Sequence, residues 1–197
     1  MTRRYCRPVE RCGWAGDRQA MVDYHDTEWG APTRDDRQLF ELLILEGAQA
    51  GLSWRTVLER REGYRRAFAG FDPQRVAALT ADDQQALLAD PGIIRNRAKV
   101  ASAVTNAAAF LHVAAEFGSF SSYLWSWVDD RPVVNRWTSA AEVPATTNLS
   151  QTLSRDLRRR GFRFVGPTIV YAYLQSAGLV MDHLTTCFRW PELAENQ

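Results

Sequence analysis

The sequence predicts an all-α fold, and three observations carry the prediction. Capping residues recur in front of runs whose apolar side chains have helical spacing. No stretch alternates apolar and polar residues as a half-buried strand does, and there is neither internal repeat nor low-complexity linker. Two cysteines and two histidines stand in short segments at opposite ends of the chain, a set suited to clamping the ends of a helical bundle together.

The elements follow in order. Thr33 with Asp35 and Asp36 opens a helix to about Ala50, acidic residues being favoured at its positive end. Ser53 caps a second through Phe68. Asp72-Pro73 opens a short one, since proline is tolerated in a first turn. Thr80 with Asp82 and Asp83 opens the next, ending near Asp90-Pro91-Gly92. A long helix runs from about Asn96 to Phe117 with Val100, Val104, Ala108, Leu111 and Ala115 as its apolar stripe, and Gly118 closes it. Ser119 to Val128 is aromatic-rich and helical. Residues 129–149 read as a loop with Pro132 and Pro144. Ser150 caps a basic helix ending at Gly161, and Gly166-Pro167 begins an apolar helix to about Leu179. Residues 190–197 read as a frayed tail.

Composition sets bounds. In 197 residues, 46% hydrophobic and 24% charged content suits a globular chain with a proper core, as one domain or two intimate lobes. No apolar run is expected to span a bilayer, and the basic N-terminus lacks a signal's apolar core, so neither membrane nor secretion is expected. Three cysteines in such a chain fit a reducing, cytoplasmic setting. The net charge of +1 does not by itself announce nucleic acid, and Lys99 is the sole lysine.

Cys12 and His25, with twelve residues between them, and His183 and Cys187, with three, suit one closed tetrahedral zinc site. The second spacing puts both side chains on one face of a helical turn. Four protein ligands leave no vacancy for a catalytic water, so the metal is structural. Cys6 is an alternative thiol to Cys12, and His112, in an alanine-rich run, reads as structural.

Glu46 shares a helix face with Leu39, Leu42, Leu43 and Ala50, where a carboxylate is costly to bury unless something bonds it. It either reaches solvent at the helix end or serves as a carboxylate in a pocket. Trp14, Tyr24, Trp29 and Trp54 cluster in the same third of the chain, and aromatic faces stack on flat bases and attract cationic rings. Gly51-Leu52 is a buried turn or an apolar wedge. Residues 90–99 lie between two helices, and Gly92, Arg95, Arg97 and Lys99 make a degenerate helix-hairpin-helix pattern able to hold a phosphate. Arg155, Arg158, Arg159, Arg160 and Arg163 form a second basic group, which is a solvated face or a nucleic-acid contact. These residues alone leave open a non-catalytic zinc module that binds nucleic acid, a zinc hydrolase, though no H-x-E or H-E-x-x-H string is present, and a structural interaction protein.

Several strings, taken in order, narrow this: Arg-Cys-Gly-Trp at 11–14, Tyr-His-Asp-Thr-Glu-Trp-Gly at 24–30, Leu-Glu-Gly-Ala-Gln-Ala-Gly-Leu-Ser-Trp at 45–54 and Gly-Ile-Ile-Arg-Asn-Arg at 92–97. Arg-Gly-Phe-Arg-Phe-Val-Gly-Pro-Thr at 160–168 and Gly-Leu-Val-Met-Asp-His at 178–183 follow, then Cys187. Over residues 11–187 the chain resembles the 3-methyladenine DNA glycosylase I family. The resemblance implies a helix-hairpin-helix glycosylase bundle with a zinc-binding lobe joining the terminal segments. It divides the chain into a flexible extension at 1–10, one domain at 11–187 and a tail at 188–197. The zinc lobe is then 11–30 with 168–187, and the helical lobe is 33–167. It implies Zn2+ on Cys12, His25, His183 and Cys187. It implies that Glu46 recognises the base, that Tyr24, Trp54, Trp14 and Trp29 line the pocket, and that Leu52 is the wedge beside Gly51, with 91–99 gripping the backbone. Met21 stands where some relatives carry tyrosine. Phe188, Arg189 and Trp190 replace a cysteine-rich tail and are expected not to touch the zinc set.

The implied activity is monofunctional release of 3-methyladenine from double-stranded alkylated DNA by base flipping, by a monomer in the bacterial cytosol. The N3-methylated base is cationic in DNA and leaves readily, so Glu46 acts mainly in recognition.

Overall fold

The computed structural model describes residues 9–195, and it is built of helices. Cys6, and with it residues 1–8 of the expected extension, lies outside the described residues.

Helix α1 (Gln19–Thr27) was not expected from the sequence; its residues are largely polar and only Met21, Tyr24 and His25 are buried. Helix α2 (Asp36–Gln49) is the centre of the molecule. Asp35 caps it by accepting from the Gln38 amide, and every residue from Leu39 to Ala48 is buried. Glu46 therefore rides on a helix surrounded by protein.

Ser53 caps as expected, but its helix breaks in two, α3 (Trp54–Leu58) and α4 (Arg61–Ala67). The break seats α4 against the 90–96 turn: a Cβ on Gly63 would lie 2.1 Å from the Gly92 carbonyl oxygen. Asp72 caps α5 (Pro73–Ala77), and Thr80 with Asp83 forms a reciprocal capping box on α6 (Ala81–Leu87).

Asn96 caps α7 (Arg97–Phe117), which Gly118 ends at φ 85°. The expected stripe is off by one row. Val100, Ala103, Ala107 and Phe110 face the core, while Ala108 and Ala115 are exposed. Adjacent alanine-rich rows look alike in sequence, and the row carrying Phe110 packs. Helix α7 is also long and apolar enough, by length and composition, to cross a membrane, contrary to the expectation of no such run. One face packs on α2, α5 and α8 (Phe120–Trp125).

Two elements lie where a loop was read. A one-turn helix spans Ala140–Glu142, and β1 (Val133–Val134) pairs in parallel with β2 (Val180–Met181), Val133 opposite Val180. Two-residue strands are too short to show an alternation. Thr147, not Ser150, caps α9 (Asn148–Arg159); Ser150 is the third residue of that helix and the reciprocal partner in the capping box. Helix α10 (Pro167–Ser176) packs on α9 and α2. The segment read as a tail contains α11 (Arg189–Ala194), held by buried Leu193 and by the Trp190 indole donating to the Asn135 carbonyl at 2.9 Å.

Candidate functional site

The four rare ligand residues converge. Cys12 precedes a one-turn helix, His25 sits on α1, and His183 and Cys187 lie in the turn between β2 and α11. The last pair is not on a helix as the spacing suggested; the turn is closed instead by the Cys187 amide donating to Leu184 at 2.8 Å. All four are buried, with ligand atoms within 4.8 Å of one another, so they could hold a metal ion. Cys12 Sγ lies 3.6 Å from His183 Nδ1, and Cys187 Sγ lies 3.5 Å from both His25 Nε2 and His183 Nδ1.

The other imidazole nitrogens are engaged. His25 Nδ1 bonds Asp26 at 2.7 Å, and His183 Nε2 bonds the Trp29 carbonyl at 2.9 Å. Asp26 is held in turn by Arg11, whose guanidinium keeps its carboxyl below the ordinary range. Burial works against charge on His25, yet bonds to Cys187 and Asp26 outweigh it and raise its pKa. The contact with Cys12, then bonds to both imidazoles, holds the Cys187 thiol far below its ordinary value. The replaced tail does touch this set: the Phe188 ring lies 6.2 Å from that of His25, and the Arg189 amide bonds Cys187. The turn is too tight to carry residue 188 away from residue 187.

Beside the cluster is a cavity of about 710 Å³, with Cys12 in their shared wall. Glu46, Tyr24, Trp54, Trp14, Trp29 and Met21 all line it, so residues 14 to 54 of the expected set meet in one place. Tyr24 packs against Trp54 with ring centres 5.2 Å apart, and Trp14 meets Trp29 edge-on at 4.9 Å. Trp29 also packs on His183 at 4.6 Å, which carries the cluster's geometry into the cavity wall.

Among the described residues, three buried polar atoms in this lining find no hydrogen-bond partner: Glu46 Oε2, Tyr24 Oη and Trp54 Nε1. Unmet polar groups are costly, and their convergence on one cavity marks a place for a polar, flat ligand. Burial, opposed only by the Ser176 hydroxyl, pushes the Glu46 carboxyl up to about 8. Burial and the nearby Glu46 raise Tyr24 well above its ordinary value.

Sequence reasoning missed Gln49, Gln175 and Asp182 in the lining, although two of them lie inside quoted strings. Asp182 accepts from Asn135 at 2.7 Å, Trp137 at 2.8 Å, Gln175 at 2.6 Å and the Tyr171 hydroxyl. That fastens the 133–143 wall to the residue before His183.

Gly51 (φ 76°) and Leu52, 41% exposed, form the turn between α2 and α3 at the cavity's edge. Gly92, Arg95, Arg97 and Lys99 are grouped at the start of α7, but none lines the cavity. Lys99 departs from its expected phosphate contact. Its Nζ donates to the carbonyls of Ala48 at 2.8 Å and Ala50 at 2.7 Å, satisfying the C-terminal end of α2. Arg97 bonds Gln85, and Arg95 is exposed. A second turn went unread. Residues 160–166 join the packed pair α9 and α10, with the Asn106 side chain bonding both the amide and the carbonyl of Arg163. Phe164 sits against Gly47, where a Cβ would lie 3.3 Å from it.

Residues 14–190 match the family model described as methyladenine glycosylase. The chain is 45% identical to DNA-3-methyladenine glycosylase 1 of Escherichia coli K12, over 93% of this chain and 98% of that protein. It is 48% identical to the DNA-3-methyladenine glycosylase of Haemophilus influenzae, over 90% and 96% of the two chains. A crystal structure of 3-methyladenine DNA glycosylase I superposes with a TM-score of 0.89 at 46% identity, covering 91% of this chain and 98% of that one. The Staphylococcus aureus enzyme, studied for 3-methyladenine recognition, superposes at 0.90 with 37% identity, over 93% and 97%.

Proposed function

The chain belongs to the methyladenine glycosylase family, and from that premise we infer that it hydrolyses the N-glycosidic bond of 3-methyladenine in alkylated DNA. The products are the free base and an abasic site. The observation that carries the site assignment is the convergence of three unpartnered polar atoms, on Glu46, Tyr24 and Trp54, in one aromatic cavity.

The base is extruded from the duplex and enters the cavity, since its glycosidic bond is out of reach within the stack. Leu52 fills the gap it leaves. Tyr24, Trp54 and Trp14 offer π faces to the cationic ring, each contact favouring it over neutral adenine by about 0.5–2 kcal/mol. Glu46 accepts from the exocyclic amine, and the base's charge draws its carboxyl to the ionised form. The alkylated base already carries the charge that makes it leave, and water takes its place on the sugar carbon. No lysine is required: Lys99 lies outside the cavity lining and is bonded to backbone, so the enzyme is monofunctional.

Cys12, His25, His183 and Cys187 would hold Zn2+. A tetrahedron with Zn–S of about 2.3 Å and Zn–N of about 2.05 Å has S···N edges of about 3.5 Å. Three of the four S···N separations in the cluster, Cys12 to His183 and Cys187 to both imidazoles, are 3.5–3.6 Å, and each imidazole is oriented by a bond on its far nitrogen. The ion would supply a structural clamp.

The helix-hairpin-helix element fits α9, the 160–166 turn and α10 better than residues 91–99, because α9 and α10 pack on each other and Lys99 is engaged elsewhere. Gly92, Arg95 and Arg97 remain secondary backbone contacts. In this reading one domain at 11–187 acts as a monomer on duplex DNA in the bacterial cytosol.

Chromatography of bases released from alkylated duplex DNA tests the reading. Release of 3-methyladenine, with 7-methylguanine left in place, is expected. No release by folded, metal-loaded protein would reject it.

A further inference from the structure

Two arginines stand at the mouth of the base cavity with no role in the chemistry above. Arg18 is the N-cap residue of α1, and Arg55 is the second residue of α3. Both line the cavity and both are exposed. Eight other arginines, Arg11, Arg34, Arg37, Arg61, Arg65, Arg159, Arg160 and Arg189, form ion pairs with carboxylates. Among the described residues neither Arg18 nor Arg55 has an ion-pair, cation–π or side-chain hydrogen-bond partner. Asp17 shares the rim and is exposed beside Arg18.

Their placement is specific to the opening. Helices α1 and α3 touch, and each carries one wall aromatic, Tyr24 and Trp54, whose rings meet at 5.2 Å. Arg55 follows the Leu52-Ser53-Trp54 edge directly. A nucleotide whose base reaches Glu46 must leave its sugar and its two phosphodiesters at this mouth. A planar guanidinium binds such a phosphate through paired N–H donors.

We propose that Arg18 and Arg55 form a phosphodiester clamp at the cavity mouth, holding the backbone on either side of the extruded nucleotide. The clamp rests on the glycosylase reading. It adds positive charge that the start of α7, away from the cavity, cannot bring to the flipped nucleotide. Phosphate contacts give affinity without sequence preference and release counterions, so they are read through salt dependence.

The test uses the full chain and a duplex carrying a tetrahydrofuran abasic analogue, with binding measured across a salt series. Arg18→Ala and Arg55→Ala are each expected to lower the slope of log affinity against log salt by about 0.9, and together to weaken binding roughly tenfold or more at moderate salt. Affinity for free 3-methyladenine should be unchanged, and Arg→Lys at either site should restore most of the slope. Arg75→Ala, outside the cavity lining, is the control. An unchanged slope in the double variant, or an equal loss from Arg75→Ala, overturns the clamp. Wild-type protein that neither binds this duplex nor releases base would instead overturn the glycosylase reading itself.

Discussion

Tyr24 and His25 are consecutive on α1, yet they serve two different sites. The Tyr24 ring packs 5.2 Å from Trp54 in the cavity, while His25 Nε2 lies 3.5 Å from Cys187 Sγ in the ligand cluster. A helix too polar to be held by its own burial is thus positioned by its one imidazole, that of His25. Whatever loosens the cluster moves the cavity wall.

Metal removal should therefore act on base binding as well as stability. Cys187→Ala is expected to lower Tm by about 10 °C or more, the loss of several kcal/mol of ligation. Affinity for 3-methyladenine, followed by tryptophan fluorescence, should fall with it. A chelated protein with unchanged base affinity would show that α1 holds its place without the ion.

Glu46→Gln separates recognition from water activation. The amide keeps the shape but loses the charge, so base affinity should fall about tenfold or more. Single-turnover release from bound substrate should fall far less. Full affinity with lost turnover would assign Glu46 to water activation instead.

Glu46 also sets a pH dependence. Its folded pKa, about 8, lies above its ordinary 4.5. The folded state therefore holds a proton that the unfolded state has lost, and stability falls as pH rises from about 4.5 to about 8. Glu46→Gln should remove that decline, which denaturant titrations at pH 5 and pH 8 would detect. In kinetics the sign is reversed: kcat/KM for wild type should climb toward a plateau above about pH 8, because the ionised carboxylate binds the cation.

Lys99→Ala should behave as a structural lesion. It strips a donor from the carbonyls of Ala48 and Ala50, at a cost of about 1–3 kcal/mol. The Leu52 turn should loosen, slowing base release with little change in affinity for the free base. Borohydride should trap no covalent DNA adduct with wild type; an adduct would make Lys99 a nucleophile.

What could be read in the sequence was local or rare. Asp72, Thr80 and Asn96 cap their helices because a cap depends only on its next few residues. The four ligands were legible because cysteine and histidine are scarce here. Helix α1 was not, since its order comes from His25 and Tyr24 meeting partners far along the chain. The β1–β2 pair joins residues 47 apart in two-residue strands, below any periodic signal. The unpartnered atoms on Glu46, Tyr24 and Trp54 are a property of three-dimensional placement; the sequence offered only their residue types.

The ligand cluster also sets an order of events during synthesis. Two of its four donors, His183 and Cys187, are made after α1, α2 and α3 have left the ribosome. A nascent chain that has completed Glu46 and Trp54 still lacks the anchor for Tyr24. The cavity's final shape is thus withheld until translation has passed residue 187, and a chain truncated before that point has its recognition residues but no fixed wall to hold them.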